Sequence, residues 1–218
     1  MSARDAILAR IRKAQGRGGA APTEAELAAV RELIARHAAG PLPSISRPPD
    51  LMVHFRSECD RVGTTHTEAA SLEDVPREVA RYLEANALAP RLVAWPGLAG
   101  LDWRGAGIEA EARPARDDDI TGLTGCFCAI AETGTVLLLS GPDMPRTVAL
   151  LPETHLCVVR RARLVATMED AFALLRGEHG EPPRATWLIS GPSRTADIEQ
   201  TIVIGAHGPY RAHVILLP

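Results

Sequence analysis

No apolar run in this 218-residue chain approaches the roughly 20 residues that a helix needs to cross a bilayer. The start, MSARDAILARIRKAQ, carries charge throughout and lacks the unbroken apolar core of a secretory signal. No membrane span is expected, and the expected location is cytoplasmic. An excess of either charge is also missing, with 24 basic against 27 acidic residues. A net charge of -3 gives no electrostatic reason to expect nucleic acid as a partner. The four cysteines, Cys59, Cys126, Cys128 and Cys157, contain no C-x-x-C pair and no set for an iron–sulfur cluster. Cys126 and Cys128 would share one face of a strand. Their spacing allows a metal or a strained disulfide, but small apolar residues in a buried strand is the favoured reading. His155 and His207 have no partner one helical turn away, so no zinc site is expected. There is no G-x-G-x-x-G after a strand and no Walker loop; the GRGG at 16–19 follows a helix, which is the wrong context for a nucleotide loop. No cofactor is therefore expected on this chain.

What is present is a 46% hydrophobic composition, enough for one sizeable domain with a core and a small appendage. Residues 2–14 read as a helix with Ile7, Leu8 and Ile11 on one side. Thr23 and Glu26 form a capping box for a second helix, whose apolar stripe is Leu27, Val30, Leu33 and Ile34 and whose end is marked by Gly40. PLPSISRPPD, at 41–50, reads as an extended linker. The expected division is an N-terminal helical arm and Pro-rich linker at 1–50, and a domain at 51–218.

In that domain LMVHFRSECDRVG reads as a helix, THTEA as extended, and Asp74 as the cap of a helix through Val79, Tyr82 and Leu83. RLVAWPG, IEAEA, CFCAIAE, TVLLLS, HLCVVR, ATWLIS and HVILL read as strands, and Thr167 with Asp170 as the start of a further helix. These runs are nearly continuous in apolar residues rather than alternating, as in parallel strands covered on both faces. The expected class is α/β, with at least five strands in a mostly parallel layered sheet. CFCAIAE and TVLLLS are expected to pair antiparallel within it.

Ligands of open α/β sheets collect beyond the carboxyl ends of strands, and three polar clusters are expected at such ends. In AIAETGT (129–135), Glu132 ends a strand, as a base or nucleophile or as a turn residue holding backbone N–H groups. In SGPSRT (190–195), Ser193 and Thr195 are candidate N-caps of a helix from Ala196. That helix start and Arg194 read equally well as an anion site or as a plain capped helix. In GAHGP (205–209), His207 sits between two glycines, where it is either a proton carrier or anion ligand, or polar filler.

Taken together, ITGLTGCFCAIAETGTVLLL, LPETHLCVV, ISGPSRTADIE and IGAHGP resemble, in order and spacing, the LUD domain of the lactate-utilization protein C (LutC) family, from about residue 51 to 217. The arm segment DAILARIRKA is also similar to the start of such proteins. The resemblance implies a three-layer α/β/α fold like that of the ribose-5-phosphate isomerase and CoA-transferase group. It also implies a role in oxidising L-lactate to pyruvate beside iron–sulfur proteins. Carried over by motif are Glu132, Thr133 and Gly134; Ser190, Gly191, Ser193, Arg194, Thr195, Asp197 and Glu199; and Gly205, His207, Gly208 and Pro209. Glu132 and His207 become the catalytic candidates. Thr133, Gly134, Ser190, Gly191, Ser193, Arg194, Thr195, Asp197, Gly205 and Gly208 become the binding candidates. The chain departs from the family at Cys126-Phe127, where relatives usually carry an Ala-Asp type pair.

Lactate oxidation moves two electrons, which cofactors hold and side chains do not. The expectation is a complex subunit, with the clusters on iron–sulfur partner subunits and a small carboxylate as ligand. Two alternatives stand beside it. One is an independent enzyme or binding protein for an anion such as a phosphosugar or CoA ester. The other is a scaffold subunit whose arm docks the cluster-bearing partners.

Overall fold

The computed structural model describes residues 2–16, 20–36, 40, 49–196 and 200–218. The expected linker at 41–48 and the motif residues Asp197, Ile198 and Glu199 lie outside them. Two compact units divide at Ser46 and Arg47.

The first unit holds helices α1 (Ala3–Ala14) and α2 (Glu24–Arg36). Ser2 and Asp5 form a capping box on α1, with Asp5 N–H donating to Ser2 Oγ over 3.2 Å and Ser2 N–H to Asp5 Oδ2 over 3.1 Å. Thr23 and Glu26 do the same for α2, as the sequence predicts. No described residue of either helix is buried, and Ile7, Ile11, Val30, Leu33 and Ile34 are exposed. The described part of α2 ends at Arg36; 37–39 lie outside the described residues, and Gly40, the expected end marker, is not helical.

The second unit begins with α3 (Leu51–Val62), β1 (Thr64–Glu68), α4 (Val75–Ala85), β2 (Arg91–Ala94), β3 (Glu109–Ala112) and β4 (Thr121–Thr124). It continues through β5 (Cys128–Ile130), β6 (Thr135–Leu139), α5 (Thr147–Leu150), β7 (Thr154–Arg160), β8 (Leu164–Val165) and α6 (Met168–His179). It closes with β9 (Thr186–Ile189), β10 (Arg194–Thr195), β11 (Val203–Ile204) and β12 (Arg211–Leu217).

Six strands form one sheet in the order β1-β12-β7-β4-β2-β3, and every pair is parallel. The apolar continuity of β7 and β12 follows from this. Successive residues face opposite sides, and both sides are covered. Leu156, Val158, Ile215 and Leu217 pack with Val75, Val79 and Leu83 of α4. Cys157, Val159, Val214 and Leu216 pack on the other face with Met52, Phe55 and Cys59 of α3. Phe55 is fully buried there, a burial that contributes roughly 1.5–3 kcal/mol. The α/β expectation holds, with helices on either side of a parallel sheet.

The antiparallel pairing of β5 with β6 also holds, but not within the main sheet. Both strands belong to a second sheet, in the order β8-β5-β6-β9. One face of that sheet joins the α3 cluster through Ala129 and Val136. The other, through Cys128, Ile130, Leu137 and Leu139, packs on Ala171 and Leu175 of α6. Thr167 and Asp170 cap α6 as expected. Asp74 differs: it precedes α4 but makes no capping bond, and its carboxylate instead takes a hydrogen bond from Ser71 Oγ at 2.9 Å and pairs with Arg77.

Two further points concern position. Arg194 and Thr195 form a short strand that pairs antiparallel with Ile204 and Val203, and the helix expected from Ala196 falls on 197–199, outside the described residues. Ser193 N–H donates to Pro209 O and Gly205 N–H to Ser193 O, each over 2.9 Å. SGPSRT and GAHGP also do not sit at the carboxyl edge of the parallel sheet. The first packs against Val62 and Gly63, just before β1, and the second leads into the first residue of β12.

Candidate functional site

Two of the three signature clusters press on the last turns of α3, and the third joins them through Ser193. Asp50 caps the front of that helix, accepting from Met52 N–H at 2.8 Å and Val53 N–H at 3.2 Å, and the chain leaves it at Gly63. Beyond β5, Glu132 N–H donates to Ala166 O over 3.0 Å, and the chain then turns back into β6. Gly134 makes the turn with a φ of 62°, and a Cβ there would lie 2.7 Å from the Cys59 backbone nitrogen. Only glycine lets the turn press onto the helix backbone. Gly191 repeats the device, with a φ of 78° and a would-be Cβ 2.5 Å from Val62 O.

Hydroxyl groups tie these contacts together. Thr135 Oγ1 lies 2.6 Å from Thr133 Oγ1 and 2.5 Å from Ser190 Oγ, which joins the Glu-Thr-Gly-Thr turn to the end of β9. The Ser193–Pro209 bond then joins SGPSRT to the turn before β12, and Gly208 comes against Ser193. Arg194 Nη2 donates to Val62 O over 3.0 Å. A cation at the carbonyl end of α3 also complements the helix dipole. The rest of the exposed guanidinium makes no other hydrogen bond or ion pair with the described residues.

Of the two catalytic candidates, Glu132 is half-buried and His207 exposed. Neither side chain makes a hydrogen bond or ion pair with the described residues, and no bond joins the two. Thr133, Gly134, Ser190, Gly191, Ser193, Arg194, Gly205 and Gly208 do belong to one connected junction. Thr195 is reached through the hairpin with β11, and Asp197 and Glu199 lie outside the described residues. The open side of the Arg194 guanidinium offers a planar donor fork of the kind that suits a carboxylate or phosphate.

The cysteines are free thiols. Burial pushes Cys59 and Cys128 up to about 12, which suppresses their thiolates. Cys126 lies outside β5; its Sγ donates to Val158 O over 3.7 Å, and the neighbouring Cys157 thiol, with burial, raises its pKa. Thirty-one positions separate the two thiols, and nothing in their spacing signals the contact. Phe127, at the departure from the family, lies under the Arg163 guanidinium at 4.7 Å, and Arg163 Nε donates to Phe127 O over 2.7 Å. No group of three or more His, Cys, Asp or Glu among the described residues is placed to hold a metal. None of the described helices is long and apolar enough to cross a membrane.

Sequence reasoning also missed two buried histidines. His155 Nε2 lies 2.8 Å from Thr124 Oγ1, and burial lowers its pKa to about 4. His213 lies between Thr65 and Thr67 beside the Tyr82 ring, and burial, with His66 nearby, lowers it to about 4. Both are neutral structural groups, hidden in apolar strands that gave no sign of them.

An all-parallel sheet with helices on both faces, a second sheet and a glycine-tight loop junction defines a layered α/β protein. The LUD domain model matches residues 9–217, and the chain belongs to the LUD domain family. It is 31% identical over 191 residues to lactate utilization protein C of Anoxybacillus flavithermus (strain DSM 21510 / WK1), covering 77% of this chain and 80% of that protein. It is 32% identical over 186 residues to lactate utilization protein C of Deinococcus radiodurans, covering 81% and 84%. A crystal structure of a DUF162 family protein from Deinococcus radiodurans matches with a TM-score of 0.55 at 26% identity, covering 80% of this chain and all of that one. Relatives bearing the name lactate utilization protein C support a role in lactate utilization.

Proposed function

We propose that the chain is a cytoplasmic subunit of a system that oxidises L-lactate to pyruvate. The observation that carries this is the match to lactate utilization protein C across most of both chains. The substrate carboxylate binds at the open side of Arg194, within the junction of Thr133, Gly134, Ser190, Gly191, Ser193, Thr195, Gly205 and Gly208. Asp197, just past β10, belongs to the same motif. Glu132 or His207 takes the hydroxyl proton, and the α-carbon C–H bond breaks with release of the second proton and the two electrons. Iron–sulfur clusters on partner subunits would accept those electrons, since this chemistry needs a cofactor that side chains do not replace.

Reconstitution tests it. The purified chain, assayed alone for lactate-dependent dye reduction, gives no turnover; the chain mixed with its iron–sulfur partner proteins does. Robust turnover by the chain alone, or none by the full mixture, contradicts the reading.

A further inference from the structure

The carboxyl edge of the parallel sheet carries a pocket that none of the signature motifs reaches. Its volume is about 460 Å³, and it opens where β1 ends at Glu68 and β12 ends at Leu216 and Leu217. Met52 and Arg56, from the first turns of α3, form one wall, and Arg161, just after β7, forms another. In open α/β sheets this is the edge where ligands collect.

The pocket joins an apolar floor to the guanidinium groups of Arg56 and Arg161, with the Glu68 carboxylate also in its lining. Met52, Leu216 and Leu217 are buried apolar residues of the α3 cluster and the adjoining core. Arg56 is held by an ion pair with Glu68, yet its Nε is buried without a hydrogen-bond partner among the described residues. Leaving such a donor unmet costs about 1–3 kcal/mol. Arg161 is 63% exposed, and its ion pair among the described residues, to Asp50 Oδ2, is long at 4.0 Å. Exposed pairs of this kind contribute little and exchange readily. The α3 cap uses the other oxygen of Asp50, Oδ1.

We infer that this pocket binds an organic carboxylate with an apolar body larger than lactate, its head between Arg161 and Arg56 and its body on Met52, Leu216 and Leu217. A planar guanidinium fork suits a carboxylate, and a volume in this range suits a ligand of several more carbons than lactate. The inference is independent of the lactate reading and concerns the opposite end of α3.

Calorimetric titration of the full chain with octanoate tests it, with 1-octanol and inorganic phosphate as controls. Two variants at exposed positions leave the fold alone: Arg161→Ala removes the charge, and Ala70→Trp fills the pocket mouth. The expected result is saturable octanoate binding, weakened tenfold or more by each variant, with no comparable binding of octanol or phosphate. Absence of saturable octanoate binding, binding that both variants leave unchanged, or equal binding of either control overturns the proposal.

Discussion

At one end of α3 the protein presses glycines and hydroxyls against a helix backbone; at the other it leaves two arginines around an open pocket. A Cβ at Gly134 or Gly191 would overlap the backbone of Cys59 or Val62, while Arg56 Nε has no acceptor among the described residues. The first end is dense in sequence signal, because close backbone contact tolerates few residue types. The second gave none, because an arginine on a helix and another after a strand look like any solvated charges. Recognisable motifs thus mark where the fold is tightest, which is not the same as where a ligand finds room.

Substitutions at the tight end should therefore act first on stability. Gly134→Val combines a left-handed φ with overlap of the α3 backbone. It should cost more than about 4 kcal/mol, seen in urea denaturation or as loss of folded protein. A milder loss would mean that the turn can lift off the helix.

The sheet interior between the two ends should show itself in acid. His155 has its pKa lowered to about 4 by burial. An unfolded histidine takes up its proton near pH 6.5, so the unfolded state gains protons first and stability falls as the pH drops from about 6.5 towards 4. The expected loss is roughly 3 kcal/mol from this group, with a similar one from His213. Denaturation midpoints that stay flat across that window would contradict the buried neutral histidines.

Smaller effects sharpen the contrast. Thr135→Val removes the centre of the hydroxyl chain to Thr133 and Ser190 and should cost about 1–2 kcal/mol. Arg161→Ala, at the open end, should change stability by less than about 0.5 kcal/mol, because its ion pair among the described residues is long and exposed. Equal costs for these two would erase the difference drawn between the ends.

The fold was legible where burial leaves a pattern. Both faces of β7 and β12 are covered, so their runs are continuous, and the capping boxes at Thr23 and Thr167 announced their helices. It was illegible where tertiary contact overrides local preference. Thr-Gly-Leu-Thr of β4 has no apolar run, yet it is buried between β7 and β2. Arg194 and Thr195 show no strand pattern of their own, yet they pair with Ile204 and Val203. The membership of the three-motif junction was readable from the motifs themselves. Its place at the amino edge of the sheet was not, because that depends on which sheet each strand joins.

The most direct test of the central claim is lactate-dependent reduction by the assembled complex carrying Arg194→Ala, with its melting temperature measured alongside. One bond from Arg194 to Val62 O is lost, so the melting temperature should move by only a few degrees. Turnover should be abolished while the protein stays folded and assembled. Normal turnover in the folded variant would contradict the assignment of the substrate carboxylate to this junction.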